Sequence, residues 1–189
     1  MKFWYDCEFV EDGVTIDLVS IGIVAEDDRE FYGISADFDQ GKLLRNDWLR
    51  TNVWPHLPVK HCPPGRRCLR CGGNGTGVGH LDVDHPAVRP RAQLARAVAG
   101  FLTAPSVHNP RIELWADYAA YDHVALAQLF GPMIALPAGL PMFTHDVQQY
   151  ASQLGWKFGP EDEPENAHDA LADARQCRAR WERLDTMRG

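Results

Sequence analysis

The chain has 189 residues, of which 45% are hydrophobic and 24% are charged, and this balance indicates one globular domain and excludes a disordered or fibrous protein. The 26 acidic residues outnumber the 19 basic ones, and the formal net charge of −7 argues against broad electrostatic adhesion to nucleic acid. The longest apolar run, residues 19–25, is far too short for a membrane span.

The first third of the chain predicts a meander of three antiparallel strands. Residues 3–9 are rich in aromatic side chains, and residues 17–25 form a run of Ile, Val and Leu that is typical of a buried strand. Residues 30–38 follow a tight polar turn and give the third strand. The three segments therefore predict one half of a sheet.

Regular structure becomes sparse in the next part of the chain. A short helix is predicted from Asn46, its N-cap, to Trp54, because Pro55 disfavours a helical residue before it. Residues 59–88 are rich in Cys, His and Gly, and they predict an insertion in the domain rather than a core element.

The second half alternates one strand with helices. The predicted elements are a helix over residues 90–104 that opens at Pro90, a strand over 111–116, a helix over 119–130, a helix from Thr144 as N-cap to 154, and a last helix after Asn166. The whole chain, 1–189, is thus predicted to be a single α/β domain with a mixed five-stranded sheet flanked by helices.

Two acidic residues stand out in the first strand. Asp6 and Glu8 are two positions apart, so that their side chains leave the same face, while Tyr5, Cys7 and Phe9 leave the other. A solvated strand face would explain this pair equally well. The pair indicates a functional site only together with polar residues from other parts of the chain.

Those residues are Asp122, at the start of the helix after the fourth strand, and His168 with Asp173, ahead of the last helix. Five residues turn a helix through about 500°, so that His168 and Asp173 would point about 140° apart within one helix. Convergence therefore requires His168 to lie in the preceding loop. Asp117 and Asp169 lie nearby and compete with these residues for metal contact, with a helix-start charge as the alternative role of each.

The order of these motifs, D-x-E, then aromatic-Asp, then H-x-x-x-x-D, resembles the histidine-bearing (DEDDh) branch of the DEDD exonuclease superfamily. The segments YDCEFVEDGVTIDLVSIGIVAED, ELWADYAAYDHVALAQLFGPM, LPMFTHD and AHDALADAR resemble, more narrowly, the RNase AS family. That resemblance implies an RNase H-like (DnaQ-like) fold and a homodimer. It also implies a 3′-5′ exoribonuclease that releases nucleoside 5′-monophosphates from RNA 3′ ends and prefers poly(A).

The resemblance assigns a role to each acidic residue. It implies that Asp6, Glu8, Asp122 and Asp173 hold two Mg²⁺ or Mn²⁺ ions and that His168 is the general base. Elementary electrostatics agrees, because clustered carboxylates cannot all stay ionised without cations, and hard oxygen ligands suit Mg²⁺. Two such ions can activate water and stabilise the leaving oxygen of a phosphodiester.

Substrate contacts are less well defined. Aromatic residues that flank the acidic motifs are predicted to stack on a terminal base, with core packing as the alternative for the tryptophan: Phe9, Trp115, Tyr118 and Tyr121. Arginines of the last helix either line a path for the RNA backbone or form a solvated face: Arg175, Arg178 and Arg180.

The cysteines indicate a metal site rather than disulfides. Cys62, Cys68, Cys71 and His80 could close a tetrahedral zinc knuckle, with His61 or His85 as substitutes, and a loop with free thiols is the alternative. The RNase AS pattern has no such cluster. The odd total of five cysteines and the charged N-terminal segment favour a cytoplasmic protein.

Two other functions remain open at this stage. One is a DNA or small-oligonucleotide exonuclease of the same superfamily. The other is a non-catalytic RNA-binding or zinc-organised interaction module, against which the complete acidic set argues, since such a module has no chemical need for it.

Overall fold

The computed structural model describes residues 1–62, 79–104, 111–159, 162 and 167–188. Its strands are β1 (Lys2–Glu11), β2 (Ile16–Ala25), β3 (Glu30–Ser35), β4 (Val59–Lys60), β5 (His80–Leu81), β6 (Val88–Arg89), β7 (Glu113–Ala116) and β8 (His145–Asp146). Its α-helices are α1 (Gln40–Arg45), α2 (Asp47–Asn52), α3 (Arg91–Leu102), α4 (Ala120–Leu129), α5 (Val147–Gln153) and α6 (Ala170–Arg188). Short 3₁₀ helices lie at Trp54–His56 and Met133–Ala135.

A mixed six-stranded sheet in the order β6-β3-β2-β1-β7-β8 forms the centre of the domain. The pairs β1/β2 and β2/β3 are antiparallel, which confirms the predicted meander, and the pairs β3/β6, β1/β7 and β7/β8 are parallel. The sequence predicted five strands. The difference arises at the edges, where β6 and β8 have two residues each and are too short to show a hydrophobic period.

The two faces of the sheet are covered by different helices. Tyr5 and Cys7 of β1 lie in a core cluster with Leu94 of α3 and Leu126 of α4. On the other face, Trp4 of β1 packs in a cluster with side chains of α5 and α6. The alternation along β1 is thus the predicted one, and it turns Asp6 and Glu8 toward the face that α6 covers.

Several helix boundaries differ from the prediction. Asn46 caps α2 as expected, with its side chain accepting from the backbone N–H groups of Trp48 and Leu49. The helix α5, however, is capped by Asp146 and not by Thr144, whose hydroxyl donates to the carbonyl of Leu114 instead. The short helix α1 was not predicted. Asn166 lies outside the described residues.

Gly22 of β2 allows the first turn of α6 to lie directly on the sheet. A Cβ atom at Gly22 would stand 2.2 Å from the carbonyl oxygen of Ala170 and 2.4 Å from the Cα of Leu171. In the sheet, Gly22 is the partner of Asp6 on β1. The absence of a side chain here therefore brings the start of α6 next to the acidic residues of β1.

Among the described residues, no helix is both long and apolar enough to cross a membrane.

Candidate active site

One pocket of about 530 Å³ gathers all five of the predicted catalytic side chains. It is lined by residues from β1, from the start of α4, and from the beginning of α6 with the loop before it. The five are Asp6, Glu8, Asp122, His168 and Asp173. Residues that are far apart in the sequence thus share one cavity, as the motif order predicted.

The strand β1 presents two of these side chains. Glu8 is buried and Asp6 is half-buried, and both point into the pocket because they alternate with the core residues of the strand. The register with β2 shifts between Glu8 and Phe9. This irregularity falls at the pocket, where a β-bulge commonly re-aims a side chain.

Asp122 joins α4 to the sheet. It lies in the first turn of the helix, and its Oδ1 accepts a hydrogen bond of 2.8 Å from the backbone N–H of Cys7. Since Cys7 stands between Asp6 and Glu8, this single bond sets the third carboxylate beside the first two. Asp122 is buried, so its carboxylate is held in a low-dielectric environment.

His168 lies in the loop before α6, as the spacing argument required. Its backbone is left-handed, with φ of 71°, and its N–H donates a 2.7 Å hydrogen bond to Oδ2 of Asp173. One potential ligand atom from each of Glu8, His168 and Asp173 lies within 4.8 Å of the other two. The ring of Trp48 meets the imidazole edge-on, with 4.6 Å between centroids.

Burial and mutual repulsion raise the pKa values of the clustered carboxylates. Burial, followed by the negative charges of Asp173 and Asp122, raises the pKa of Glu8 to about 8. Burial raises the pKa of Asp122 to about 7, although the backbone N–H of Cys7 acts in the opposite direction. The pKa of Asp6 is raised well above its usual range by burial and then by Asp122 and Glu8. The site therefore resists full ionisation unless positive charge is supplied.

The donor set fits divalent cations. Carboxylate oxygens are the ligands that Mg²⁺ and Mn²⁺ prefer, and a bound cation would favour the ionised form of carboxyls whose pKa values are raised by burial and mutual repulsion. The residues that would hold the ions are Asp6, Glu8, Asp122 and Asp173.

The two competing acidic residues are engaged elsewhere. Oδ1 of Asp169 accepts from the backbone N–H groups of Leu171 and Ala172, and so caps α6. Asp117 lines the pocket, but its Oδ1 accepts from Gln148 at 2.8 Å and its Oδ2 pairs with Arg180. Both residues thus accept hydrogen bonds that order a helix start or the wall of the pocket.

Three of the four predicted stacking residues lie at this pocket. Phe9 and Tyr121 stack with their ring centroids 6.0 Å apart and an interplanar angle of 15°. Tyr118 is 74% exposed and has a left-handed backbone with φ of 51°, a conformation that costs a bulky residue about 1 to 3 kcal/mol. An aromatic surface therefore borders the acidic centre.

Trp115 is a correction to that stacking set, because the structure places it outside this pocket. Its ring stacks on His145 at 4.5 Å between centroids and also contacts Tyr150 and Trp181. These contacts arise because Trp115 leaves β7 on the face covered by α5 and α6 and lines a separate cavity there. These contacts agree with the alternative given for Trp115, which was packing rather than stacking on a base.

Two of the three arginines predicted to line an RNA path form ion pairs instead. Arg175 makes a two-pronged contact with Glu30, and Arg178 pairs with Asp28 and Glu182. Both therefore have acidic partners, as the solvated-face alternative predicted. Arg180 is different, since it is buried in the wall of the pocket.

The insertion is described only at its ends. The strands β4 and β5 pair there in a separate two-stranded sheet. Sγ of Cys62 lies 3.4 Å from Nδ1 of His80, so two of the four predicted zinc ligands are adjacent. Cys68 and Cys71 lie outside the described residues.

Sequence reasoning did not find the contacts that fix the wall of the pocket. The pairing of Arg180 with Asp117 joins residues that are 63 positions apart, and Gln148 reaches Asp117 from a third element. No local sequence pattern predicts these contacts, because Arg180, Asp117 and Gln148 each have the sequence context of an ordinary polar surface residue.

Comparison with known proteins identifies the family to which this chain belongs. A scan against models of protein families finds no match. Among solved structures, a chain of the "Structure of yeast NOT1 MIF4G domain co-crystallized with CAF1" aligns with 97% of this chain over 80% of its own length, at 8% identity and a TM-score of 0.42. Two proteins from different strains of Mycobacterium tuberculosis, "3′-5′ exoribonuclease Rv2179c" and its counterpart of the same description, are each 41% identical to this chain over 175 residues. These matches cover 93% of this chain and 88% of each relative, and the chain therefore belongs to this family of 3′-5′ exoribonucleases.

Proposed function

We propose that the protein is a metal-dependent 3′-5′ exoribonuclease of the DEDDh branch, with an RNase H-like fold, that removes nucleoside 5′-monophosphates from RNA and prefers poly(A). The observation that carries the proposal is the convergence of Glu8, His168 and Asp173, whose ligand atoms lie within 4.8 Å of one another. Asp6 and Asp122 complete the acidic set in the same pocket. The mixed sheet with helices on both faces is compatible with the proposed fold.

The four carboxylates would hold the divalent cations at the face of the sheet under α6. Ions bound there would stabilise the charge on the scissile phosphate and lower the pKa of the attacking water. Within the chain itself, the imidazole of His168 accepts a proton from that water, since the pKa of a histidine lies near neutral pH. The bond from its backbone N–H to Asp173 fixes the loop that carries the imidazole.

The volume of the pocket and the aromatic side chains at its border suit a terminal nucleotide of an RNA strand. The pocket volume of about 530 Å³ lies in the usual range for pockets that bind small ligands. One terminal nucleotide is a ligand of that size. The stacked pair Phe9 and Tyr121 offers an aromatic surface on which a base can lie. The preference for adenine follows only from the resemblance to RNase AS.

A panel of 5′-labelled oligonucleotides tests this function. We expect oligo(A) to be shortened one nucleotide at a time in Mg²⁺ or Mn²⁺, oligo(U) and oligo(dA) to be shortened more slowly, and a chelator to stop the reaction. Faster digestion of oligo(dA) would favour the DNA-directed alternative. Protein that binds oligo(A) and leaves it intact in Mn²⁺ would instead be the non-catalytic module.

Three further properties belong to the same proposal. A structural zinc ion in the insertion is supported by the adjacency of Cys62 and His80. A homodimer follows from the resemblance alone. Cytoplasmic residence agrees with the thiols of Cys7 and Cys177, which are buried and not in disulfides.

A further inference from the structure

Arg180 is a buried cation in the wall of the pocket, and the proposed chemistry makes no use of it. The residue is 8% exposed and lies on α6 seven residues after Asp173, on the same side of the helix. Both residues line the pocket. Because burial of a guanidinium is costly unless its partners compensate, those partners indicate its role.

The guanidinium joins α6 to the loop before α4. Its Nη1 pairs with Oδ2 of Asp117, and its Nη2 donates to the carbonyl of Asp162 at 3.1 Å. Gln148 of α5 holds the other oxygen of Asp117 at 2.8 Å. The Asp117 side chain is therefore fixed from two helices at once.

The neighbouring backbone is fixed as well. The N–H of Ala119 donates a 2.9 Å hydrogen bond to Oδ2 of Asp146, whose Oδ1 caps α5. Tyr118 lies between these two attachments, with its backbone in the left-handed region. Its ring is 74% exposed, so packing of the ring is not what maintains this conformation. The attachments at Asp117 and Ala119 maintain it.

We propose that Arg180 is a positioning residue that acts through Asp117 to hold Tyr118 at the mouth of the pocket, where the tyrosine ring stacks on a base of the RNA strand. The inference rests on the proposed function and deepens it, since it names single-stranded RNA with unpaired bases near the 3′ end as the substrate. Arg180 thereby contributes to the affinity for the strand and not to the hydrolytic step.

The test measures KM and kcat for 5′-labelled oligo(A) with Mg²⁺ in Arg180→Met, Tyr118→Ala and the double variant. Loss of one stacked base weakens binding by about 1 to 3 kcal/mol, which corresponds to about 5- to 150-fold in KM. We expect each single variant to raise KM about tenfold, with kcat within about threefold of wild type. The double variant should be no worse than either single one, because both changes remove the same contact.

Arg183→Met is the matched control. Arg183 lies on the same helix and pairs with the carboxylate of Asp162 at 2.7 Å, but it does not line the pocket. The KM of the Arg183→Met variant for oligo(A) should equal that of the wild-type protein. If Arg180→Met does not fold, as judged by thermal melting, Gln148→Met decides, since it removes the second attachment of Asp117 and should raise KM in the same direction.

Two results would overturn the inference. One is an unchanged KM in a folded Arg180→Met or Gln148→Met variant. The other is a double variant in which the two increases in KM multiply, because independent effects mean that Arg180 does not act through Tyr118. Wild-type protein that leaves oligo(A) intact refutes the proposed function itself, and so the two failures are distinguishable.

Discussion

The backbone N–H of His168 donates a 2.7 Å hydrogen bond to Oδ2 of Asp173, five residues further along the chain. The two side chains would diverge within one helix, but His168 precedes α6 in a left-handed conformation. This bond fixes the loop just before the helix, where the imidazole shares a pocket with the carboxylates. His168 and Asp173 can therefore be substituted separately, because one lies in the loop and the other in the helix.

Substitution of Asp6→Asn should abolish turnover and stabilise the metal-free protein. The change removes a metal ligand and also relieves the repulsion that raises the pKa of this carboxyl. We expect activity to fall at least about 10³-fold and the free energy of unfolding in EDTA to rise by about 1 kcal/mol. Oligo(A) digestion and chemical denaturation measure the two effects.

Asp169→Asn is the control for that experiment. Asp169 caps α6, and asparagine is an equally good cap, so both activity and stability should stay near wild type. Wild-type turnover in Asp6→Asn would rule out the assigned role.

His168→Gly should slow the reaction by about 10² to 10⁴ while magnesium binding persists. Glycine accepts the positive φ at this position without strain, so that the bond to Asp173 survives and the fold is unchanged. Single-turnover rates and titration calorimetry with Mg²⁺ separate the two properties. A variant that loses stability but keeps its rate would show that the histidine is only structural.

The metal-free protein should lose stability as the pH rises from about 5 to 8. The folded state holds a proton on Glu8 up to about pH 8, whereas an unfolded glutamate releases it near its usual pKa of 4.5. The folded state thus binds more protons in this window, and stability falls by up to about 1.4 kcal/mol per pH unit. Melting temperatures in EDTA at several pH values measure the slope, and Glu8→Gln should make it shallower, while Asp6 and Asp122, whose pKa values are also raised, supply the remaining slope. An equal slope in both proteins contradicts the prediction.

Gly22→Ala should inactivate the enzyme by displacing α6. The added methyl group would overlap the backbone of Ala170, which cannot move aside as a flexible side chain can. We expect a destabilisation of about 1 to 3 kcal/mol together with a loss of activity that Mg²⁺ does not restore. Gly100→Ala is the matched control, because a Cβ there meets no atom within 4 Å. Full activity in Gly22→Ala would show that α6 does not depend on this close approach.

Zinc in the insertion is testable by metal analysis. Protein purified without chelator should contain about one zinc per chain, and Cys68→Ser together with Cys71→Ser should remove it, because a structural site needs four ligands. Cys177→Ser is the control, since that thiol belongs to α6 and is buried in the cluster around Trp4. Unchanged zinc content in the double variant rejects the site.

The sequence predicted those parts of the site that depend on local periodicity. Alternation along β1 placed Asp6 and Glu8 on one face, and helical geometry required His168 to precede α6. The two-residue strand β8 and the cap at Asp146 were not predicted, because two residues are too few to show a hydrophobic period.

Long-range polar contacts were beyond sequence reasoning for another reason. Whether Asp117 binds a metal or a neighbour depends on Gln148 and Arg180, and only tertiary packing decides which residues meet. The left-handed backbone of Tyr118 follows from those contacts and not from its own preference.

The acidic centre is assembled from residues that are far apart in the sequence, with Asp6 and Glu8 in β1 and Asp173 in α6. During translation, therefore, the carboxylates of β1 leave the ribosome long before their partners exist. Under the proposed mechanism, a nascent chain that still lacks α6 has neither the base nor a complete set of ligands. The messenger from which this nuclease is being read is thus safe from that same molecule until α6 has been synthesised.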